Sequence, residues 1–380
     1  MSQPETTSSR YPLQRLYFYL TEGCNLACRH CWIAPKYQAD GKTYPALEFE
    51  LFCDIVEQAK PLGLHAVKLT GGEPLLHPQI DKILQFVAPT ELRLIIETNG
   101  MLCTPVMAAQ IRRSPHAFVA VSLDGADAAT HDWMRGVDGS FERAVTGIRN
   151  LVAAGLRPQV IMTVMRRNCR QVAEVVRLAE SWGAGSVKFN LVQPTARGEQ
   201  MHKAGETLSI AELVELGRYV ETDLSAKAGI PLYFDHPMAF RPLSRMFFSR
   251  KPYTWSTCGI LGILGVLADG SYALCGIGET VPELVFGHAS KDRLEHVWLN
   301  NAVLNEIREG LPSRLEGVCR RCVHRNVCLG SCVAQNYYSS GNLFAAYWFC
   351  ALAEGHGLFP ASRLFPENCG AVERLKGATT

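Results

Sequence analysis

Apolar and polar positions fall into a repeated rhythm over the first half of the chain. A short β-like run, Leu16–Leu20, leads into a loop. Apolar residues then recur at helical spacing from Tyr44 through Leu47, Leu51, Phe52, Ile55, Val56 and Ala59, until Pro61 and Gly63 end the pattern. Five further β-like runs follow, at Ala66–Leu69, Leu92–Glu97, Phe118–Ser122, Gln159–Val164 and Val187–Val192. Helical periodicity fills the intervals near residues 79–88, 104–113, 141–154 and 170–182. Strands alternating with helices predict an α/β fold of six β/α units, with a parallel sheet and right-handed crossovers. Periodicity alone leaves a doubly wound sheet and a barrel both open. Either architecture gathers its functional loops at the strand C-termini.

The rhythm stops near residue 195. Residues 196–250 mix helical signals with the segments PTARG and HP and with the basic–aromatic run Arg245-Met-Phe-Phe-Ser-Arg-Lys251, and they read as a bridge. A cysteine-rich region follows from about 251 to 360, opening on GVLADGSYALCG, whose Asp269-Gly270 signals a hairpin turn. Residues 1–13 and 361–380 read as tails, and 14–195 as the β/α unit.

Composition narrows the function classes. The 380 residues are 47% hydrophobic and 19% charged with a formal net charge of +2, too small to argue for nucleic acid or an acidic membrane surface. The start, MSQPETTSSR, lacks the apolar core of a secretion signal, and the longest apolar run, Ile260 to Ala268, is far short of a membrane span. The expected location is the cytoplasm, where thiols stay reduced. Fourteen cysteines there point to metal or cluster ligation. Cys53, Cys103, Cys169 and Cys369 stand alone, whereas three cysteines crowd residues 24–31 and seven lie between 258 and 350.

The first group is Cys24-Asn-Leu-Ala-Cys28-Arg-His-Cys31, at the end of LYFYLTEG. Three thiolates spaced CxxxCxxC after a strand can hold three corners of a cubane cluster, leaving one iron open to bind a cofactor. A structural zinc site wants four closed ligands; His30 is a nominal fourth, but no matching CxxC half follows within twenty residues.

This spacing, on this loop, resembles the radical S-adenosylmethionine (SAM) superfamily. The resemblance implies a partial (β/α)6 barrel, a [4Fe–4S] cluster on Cys24, Cys28 and Cys31, and SAM chelated to the open iron. Gly71-Gly72-Glu73-Pro74, at the next strand end, looks like the superfamily's motif for the SAM amino group; glycines there permit close backbone approach. Asn99 and Ser122 with Asp124, at the third and fourth strand ends, match positions that contact the ribose and methionyl parts. Local turns with Gly100 and Gly125 are the alternative for Asn99 and Asp124. Arg135, in HDWMRGVDGSF, resembles the arginine that pairs with the SAM carboxylate, a partner its fork suits; a surface ion pair is the alternative. Leu191 and Val192 match the backbone laid against adenine.

The second group reads Cys258-x11-Gly270-x4-Cys275, then Cys319-x2-Cys322-x5-Cys328-x3-Cys332, then Cys350. It resembles the SPASM domain in all seven cysteines and the glycine, which implies two auxiliary [4Fe–4S] clusters. By that resemblance Cys319, Cys322, Cys328 and Cys350 hold the outer cluster, and Cys258, Cys275 and Cys332 the inner one. Sulfatase maturases add a further cysteine just before the first; here KPYTWST precedes Cys258, so the inner cluster is expected to keep an iron without a cysteine. A zinc ribbon would need only four thiolates.

The family chemistry is reductive cleavage of SAM to methionine and a 5′-deoxyadenosyl radical, which takes hydrogen from a substrate. It needs a one-electron reductant such as flavodoxin or ferredoxin. The leading substrate class is a ribosomally made peptide that acquires a crosslink, and YFYLTEGCNLACRHCWIAPKYQ is similar to the maturases of SynChlorMet cassettes. Only about thirteen residues precede the first strand, so leader recognition is expected to use a separate protein or other surfaces, Arg245–Lys251 among them. Gly276 stands where sulfatase maturases carry aspartate, which argues against that activity. A small-molecule substrate, such as a haem precursor or an amino sugar, and a non-catalytic iron–sulfur or zinc protein are the alternatives.

Overall fold

The computed structural model describes residues 11–39, 42–243, 246 and 258–366. Six parallel strands occupy the predicted runs to within a residue or so: β1 (Arg15–Tyr19), β2 (Ala66–Thr70), β3 (Arg93–Thr98), β4 (Phe118–Ser122), β5 (Gln159–Val164) and β6 (Ser186–Leu191). Alternate side chains turn to opposite faces of a strand. Leu94 and Ile96 of β3, or Val187, Phe189 and Leu191 of β6, are buried in the core. Their neighbours Glu97 and Asn190 line an internal cavity instead.

Helices α1 (Phe49–Ala59), α2 (Ile80–Val87), α3 (Pro105–Arg112), α4 (Ala128–Arg135), α5 (Ser140–Ala153) and α6 (Val172–Ser181) make the crossovers. Phe52 of α1 meets Phe18 of β1 with ring centroids 4.4 Å apart. The first helix starts later than its periodicity suggests. Leu47 gives its N–H to Leu20 O and Ala46 bridges Thr21, so the stretch before Phe49 is extended. Helix α4 has a short, weakly apolar sequence and is absent from the expected set; the Asp127 side chain caps it, and Gly136 at φ +71 ends it.

Two findings change the expected layout. The bridge is not merely a connection: after α7 (Ala196–Lys203) and α8 (Ile210–Tyr219) it supplies β7 (Leu232–Phe234), which pairs parallel with β6. Three residues after Pro231 are too few to show a period. The cysteine-rich region also joins the same sheet. Its β8 (Ile263–Val266) pairs parallel with β1, and β9 (Ser271–Ala273) and β10 (Val285–His288) follow antiparallel. The sheet order is therefore β10-β9-β8-β1-β2-β3-β4-β5-β6-β7. The turn between β8 and β9 falls at Asp269-Gly270 as expected, with Gly270 at φ +92. No helix among the described residues is long and apolar enough to cross a membrane.

Gly276 has a structural reason. A Cβ there would come within 2.3 Å of the Tyr19 ring, which is buried beneath the hairpin. Gly276→Ala is expected to lower stability by about 1–3 kcal/mol through overpacking. Tyr19→Ala in the same chain should relieve much of that loss. A double-mutant cycle by urea unfolding checks this, and strict additivity would refute it.

Candidate active site

A cavity of about 190 Å³ opens at the C-terminal ends of the parallel strands. Cys24, Cys28 and Cys31 line it together with Gly71, Gly72, Glu73, Asn99, Ser122 and Arg135. The loop and the two glycines are pressed backbone to backbone. Gly72 donates its N–H to Thr21 O and Glu73 donates to Gly23 O, while a Cβ on Gly72 would stand 1.9 Å from that same carbonyl. Gly71 holds φ +119. No other residue type fits this approach.

Glu73 is 1% exposed. Its carboxylate accepts from Thr98 Oγ1 (2.7 Å), the Asn99 N–H (2.8 Å) and the Leu75 N–H (3.1 Å). Burial still pushes its acid up to about 7 against those three donors. A carboxyl so placed favours a cationic partner, as a SAM amino group would be. Asn99 forms the local turn, accepting from the Met101 N–H, and also donates to Asn25 Oδ1 of the cysteine loop at 2.7 Å.

Four expected contacts lie off the cavity walls. Pro74 is buried at the start of a short 3-10 turn. Asp124 is fully buried, with Oδ2 2.7 Å from Arg135 Nη2 and 3.5 Å from His30 Nε2, and its Oδ1 accepts from the Thr163 N–H. It therefore anchors Arg135 rather than facing a ligand. Burial alone would raise the Asp124 acid, but Arg135 and His30 hold it below the usual range. Leu191 points into the core, and Val192 packs on Met134, Met165 and Met201. Their carbonyls are already engaged by Gln193 and His202.

Arg135 itself is split between two partners, since Nη1 lies 3.5 Å from Cys28 Sγ. Sequence reasoning missed Arg197, at the start of α7, which donates to Cys28 O and Pro35 O, and Asn190, whose Oδ1 is buried without a partner. Both line the cavity. Strand alternation carried a signal for Asn190, because Leu191 beside it is plainly a core residue.

The other thiols form two groups. Cys319, Cys322, Cys328 and Cys350 line one small cleft, with the Cys319 and Cys350 side chains hydrogen-bonded to each other. Between Cys328 and Cys332 the backbone turns through left-handed Leu329, Gly330 and Ser331. Cys258, Cys275 and Cys332 are a separate, half-buried set, each within electrostatic reach of another. No fourth cysteine joins them among the described residues. Burial pushes Cys275 up to about 12 and Cys258 and Cys24 higher still. Among the described residues, no three His, Cys, Asp or Glu side chains converge as one metal ion requires. The run Arg245–Lys251 lies outside the described residues except Met246.

Sequence and structure comparisons agree with this geometry. The model of the radical SAM superfamily matches residues 18–182, and that of the SPASM iron–sulfur cluster-binding domain matches 258–323. An AdoMet-dependent heme synthase of Methanosarcina barkeri is 30% identical over 88% of this chain and 95% of its own length. The chain belongs to the radical SAM superfamily. Mycofactocin maturase MftC of Mycobacterium tuberculosis is 28% identical, covering 85% of this chain and 79% of that protein. The fold also matches SuiB of Streptococcus suis, solved with S-adenosylmethionine and with its precursor peptide SuiA, at a TM-score of 0.69 and 18% identity. The match covers 90% of this chain and 76–77% of SuiB. This radical SAM enzyme uses SAM and iron–sulfur chemistry, and its C-terminal region is a SPASM domain.

The raised Glu73 acid has a signed consequence in the iron-free, ligand-free enzyme. Because its folded value lies above the ordinary 4.5, its stabilising contribution is complete below that pH and is lost as pH rises through about 7. Wild type should lose up to about 3 kcal/mol relative to Glu73→Gln across that window, since each tenfold change in proton affinity is worth about 1.4 kcal/mol. Denaturant unfolding at several pH values measures it. Parallel pH profiles for the two proteins would contradict it.

Proposed function

We propose that this radical SAM enzyme takes a hydrogen atom from a ribosomally synthesised peptide and installs an intramolecular crosslink. The observation that carries the reading is the grouping of ten thiols into three sets, one of them on the wall of the strand-end cavity. When bound, a [4Fe–4S] cluster on Cys24, Cys28 and Cys31 and its SAM supply the 5′-deoxyadenosyl radical by one-electron reductive cleavage. Glu73 and the Gly71-Gly72 backbone receive the SAM amino group, while Asn99, Ser122 and Asn190 orient the remainder. Arg197 and Arg135 supply positive charge toward its carboxylate, Arg135 being held in place by Asp124. Closing a crosslink removes two hydrogens from the peptide: the bound adenosyl group would take one as an atom, and the other would leave as an electron, for which an auxiliary centre would be the acceptor, and a proton to solvent.

Cys319, Cys322, Cys328 and Cys350 are the ligands we assign to the outer auxiliary cluster, and Cys258, Cys275 and Cys332 to the inner one. The peptide assignment is supported by MftC and by the SuiA-bound SuiB fold. Leader recognition by a separate protein, and electron delivery by a flavodoxin or ferredoxin in the cytoplasm, complete it. The 30% identity to a heme synthase over nearly its whole length favours a second reading, in which the substrate is a haem precursor.

Anaerobic reconstitution with iron counting, then SAM and dithionite, tests the chemistry. Full loading is expected to give about twelve irons and 5′-deoxyadenosine. Replacing Cys24, Cys28 and Cys31 together by alanine should abolish 5′-deoxyadenosine while leaving about eight irons. About four irons in the wild type would remove the auxiliary clusters. A mass loss of two hydrogens from a genomically adjacent peptide supports crosslinking; turnover of a haem precursor instead would overturn it.

A further inference from the structure

The inner thiols lie beside an ion pair that the site as described does not use. Cys275 follows β9, and its backbone packs on Gly265 of β8, where an added Cβ would come within 2.8 Å of the Cys275 Cα. Gly265 is in register with Tyr17 of β1, and Tyr17 with Lys68 of β2. Neighbouring strands lie about 4.8 Å apart, so Lys68 stands two strand spacings from the glycine beneath Cys275. Its ammonium is 2.7 Å from the Glu97 carboxylate and 4.6 Å from the centroid of the Tyr17 ring. Tyr17 in turn packs on the cluster of Tyr19, Leu267 and Ala273 under the hairpin.

The two partners differ in what they face. Glu97 lines the SAM cavity and its side chain is 41% exposed; the Lys68 side chain is 17% exposed. The charge of Lys68 reaches both Cys258 and Cys275, favouring their thiolates against burial. The ammonium is held over an aromatic ring and away from bulk water, where a fixed charge acts more strongly than at the surface.

We propose that Lys68 and Glu97 are positioning residues that set the reduction potential of the inner auxiliary centre, Lys68 raising it and Glu97 opposing that rise. The inference rests on the auxiliary-cluster assignment made above. A cluster held by thiolates gains a negative charge on reduction, so a nearby cation stabilises the reduced state and a nearby anion destabilises it. Lys68 thereby makes the inner centre a better acceptor for the electron that leaves the substrate, and Glu97 ties that setting to the cavity in which the substrate radical forms. If the pair only joined β2 to β3, losing either member would cost stability and leave the potential unmoved.

The test needs no substrate. Wild type, Lys68→Met, Lys68→Arg and Glu97→Gln are reconstituted anaerobically, their iron counted, and their clusters followed by electron paramagnetic resonance during a redox titration. Cys332→Ala identifies the inner signal by deleting it. The inner signal is expected to move to lower potential in Lys68→Met, stay near wild type in Lys68→Arg and move to higher potential in Glu97→Gln. The outer and SAM-site signals should shift less. Shifts in the same direction, or none, overturn the proposal. A wild type holding only about four irons would instead remove the auxiliary-cluster assignment, a distinguishable failure. If Lys68→Met does not load, the directions in Glu97→Gln and Lys68→Arg decide.

Discussion

The cysteine loop rests on a buried ion pair. Between Cys24 and Cys31 the chain has almost no regular structure of its own, so its backbone groups must find partners elsewhere. Ala27 and Arg29 donate to Arg135 O and Met134 O in the last turn of α4, and Arg197 donates to Cys28 O. Arg135 also points its guanidinium inward, against Cys28 Sγ and Asp124. A charge this deep costs several kcal/mol unless it is paired. Asp124 provides the pairing and is itself fixed by the Thr163 N–H, so one ion pair links α4, β4, β5 and the thiol loop. Its value is positional: it holds the scaffold on which three thiols share one cavity wall.

The second constraint is the absence of side chains where backbones meet. Gly72 against Gly23 brings the strand-end loop onto the cysteine loop, Gly265 lets Cys275 close on β8 within the hairpin, and Gly276 leaves room for Tyr19 of β1. With these approaches open, the parallel pairing of β8 with β1 makes the SPASM hairpin a continuation of the barrel sheet. The distance between the strand-end cavity and the Cys258, Cys275 and Cys332 thiols is therefore set by strand register, which is far less adjustable than a linker.

The six β/α units were legible because their alternation is strong: each predicted run lies within a residue or so of a strand. The seventh strand was not, since Leu232–Phe234 is shorter than any period that could reveal it. Helix α4 was hidden for a different reason, because much of its sequence serves the site, with His131 and Arg135 buried on its inner face. Among the cavity residues, Gly71, Gly72, Glu73, Asn99, Ser122 and Arg135 were visible in motifs. Asp124 carried the same kind of motif but faces Arg135, and nothing in a linear pattern says which way a carboxylate at a strand end will turn. Arg197 arrives from beyond the sixth strand, outside any motif, and meets the loop only through folding.

The thiols themselves show what the ligand-free fold lacks. Burial makes deprotonation costly at Cys24, Cys258 and Cys275, and in each case neighbouring thiols raise the cost further. Ligation to iron requires the thiolate, so a cluster on the thiols proposed to hold it would expel these protons, and its iron would replace repulsion between sulfurs with attraction. On the proposed ligand assignment, part of the chain's folding free energy lies in the metal. Cys319 is the exception among the thiols of the small cleft. The hydrogen bond it accepts from Cys350 outweighs burial and holds it below the ordinary thiol range, so a neighbour and not exposure sets its proton affinity.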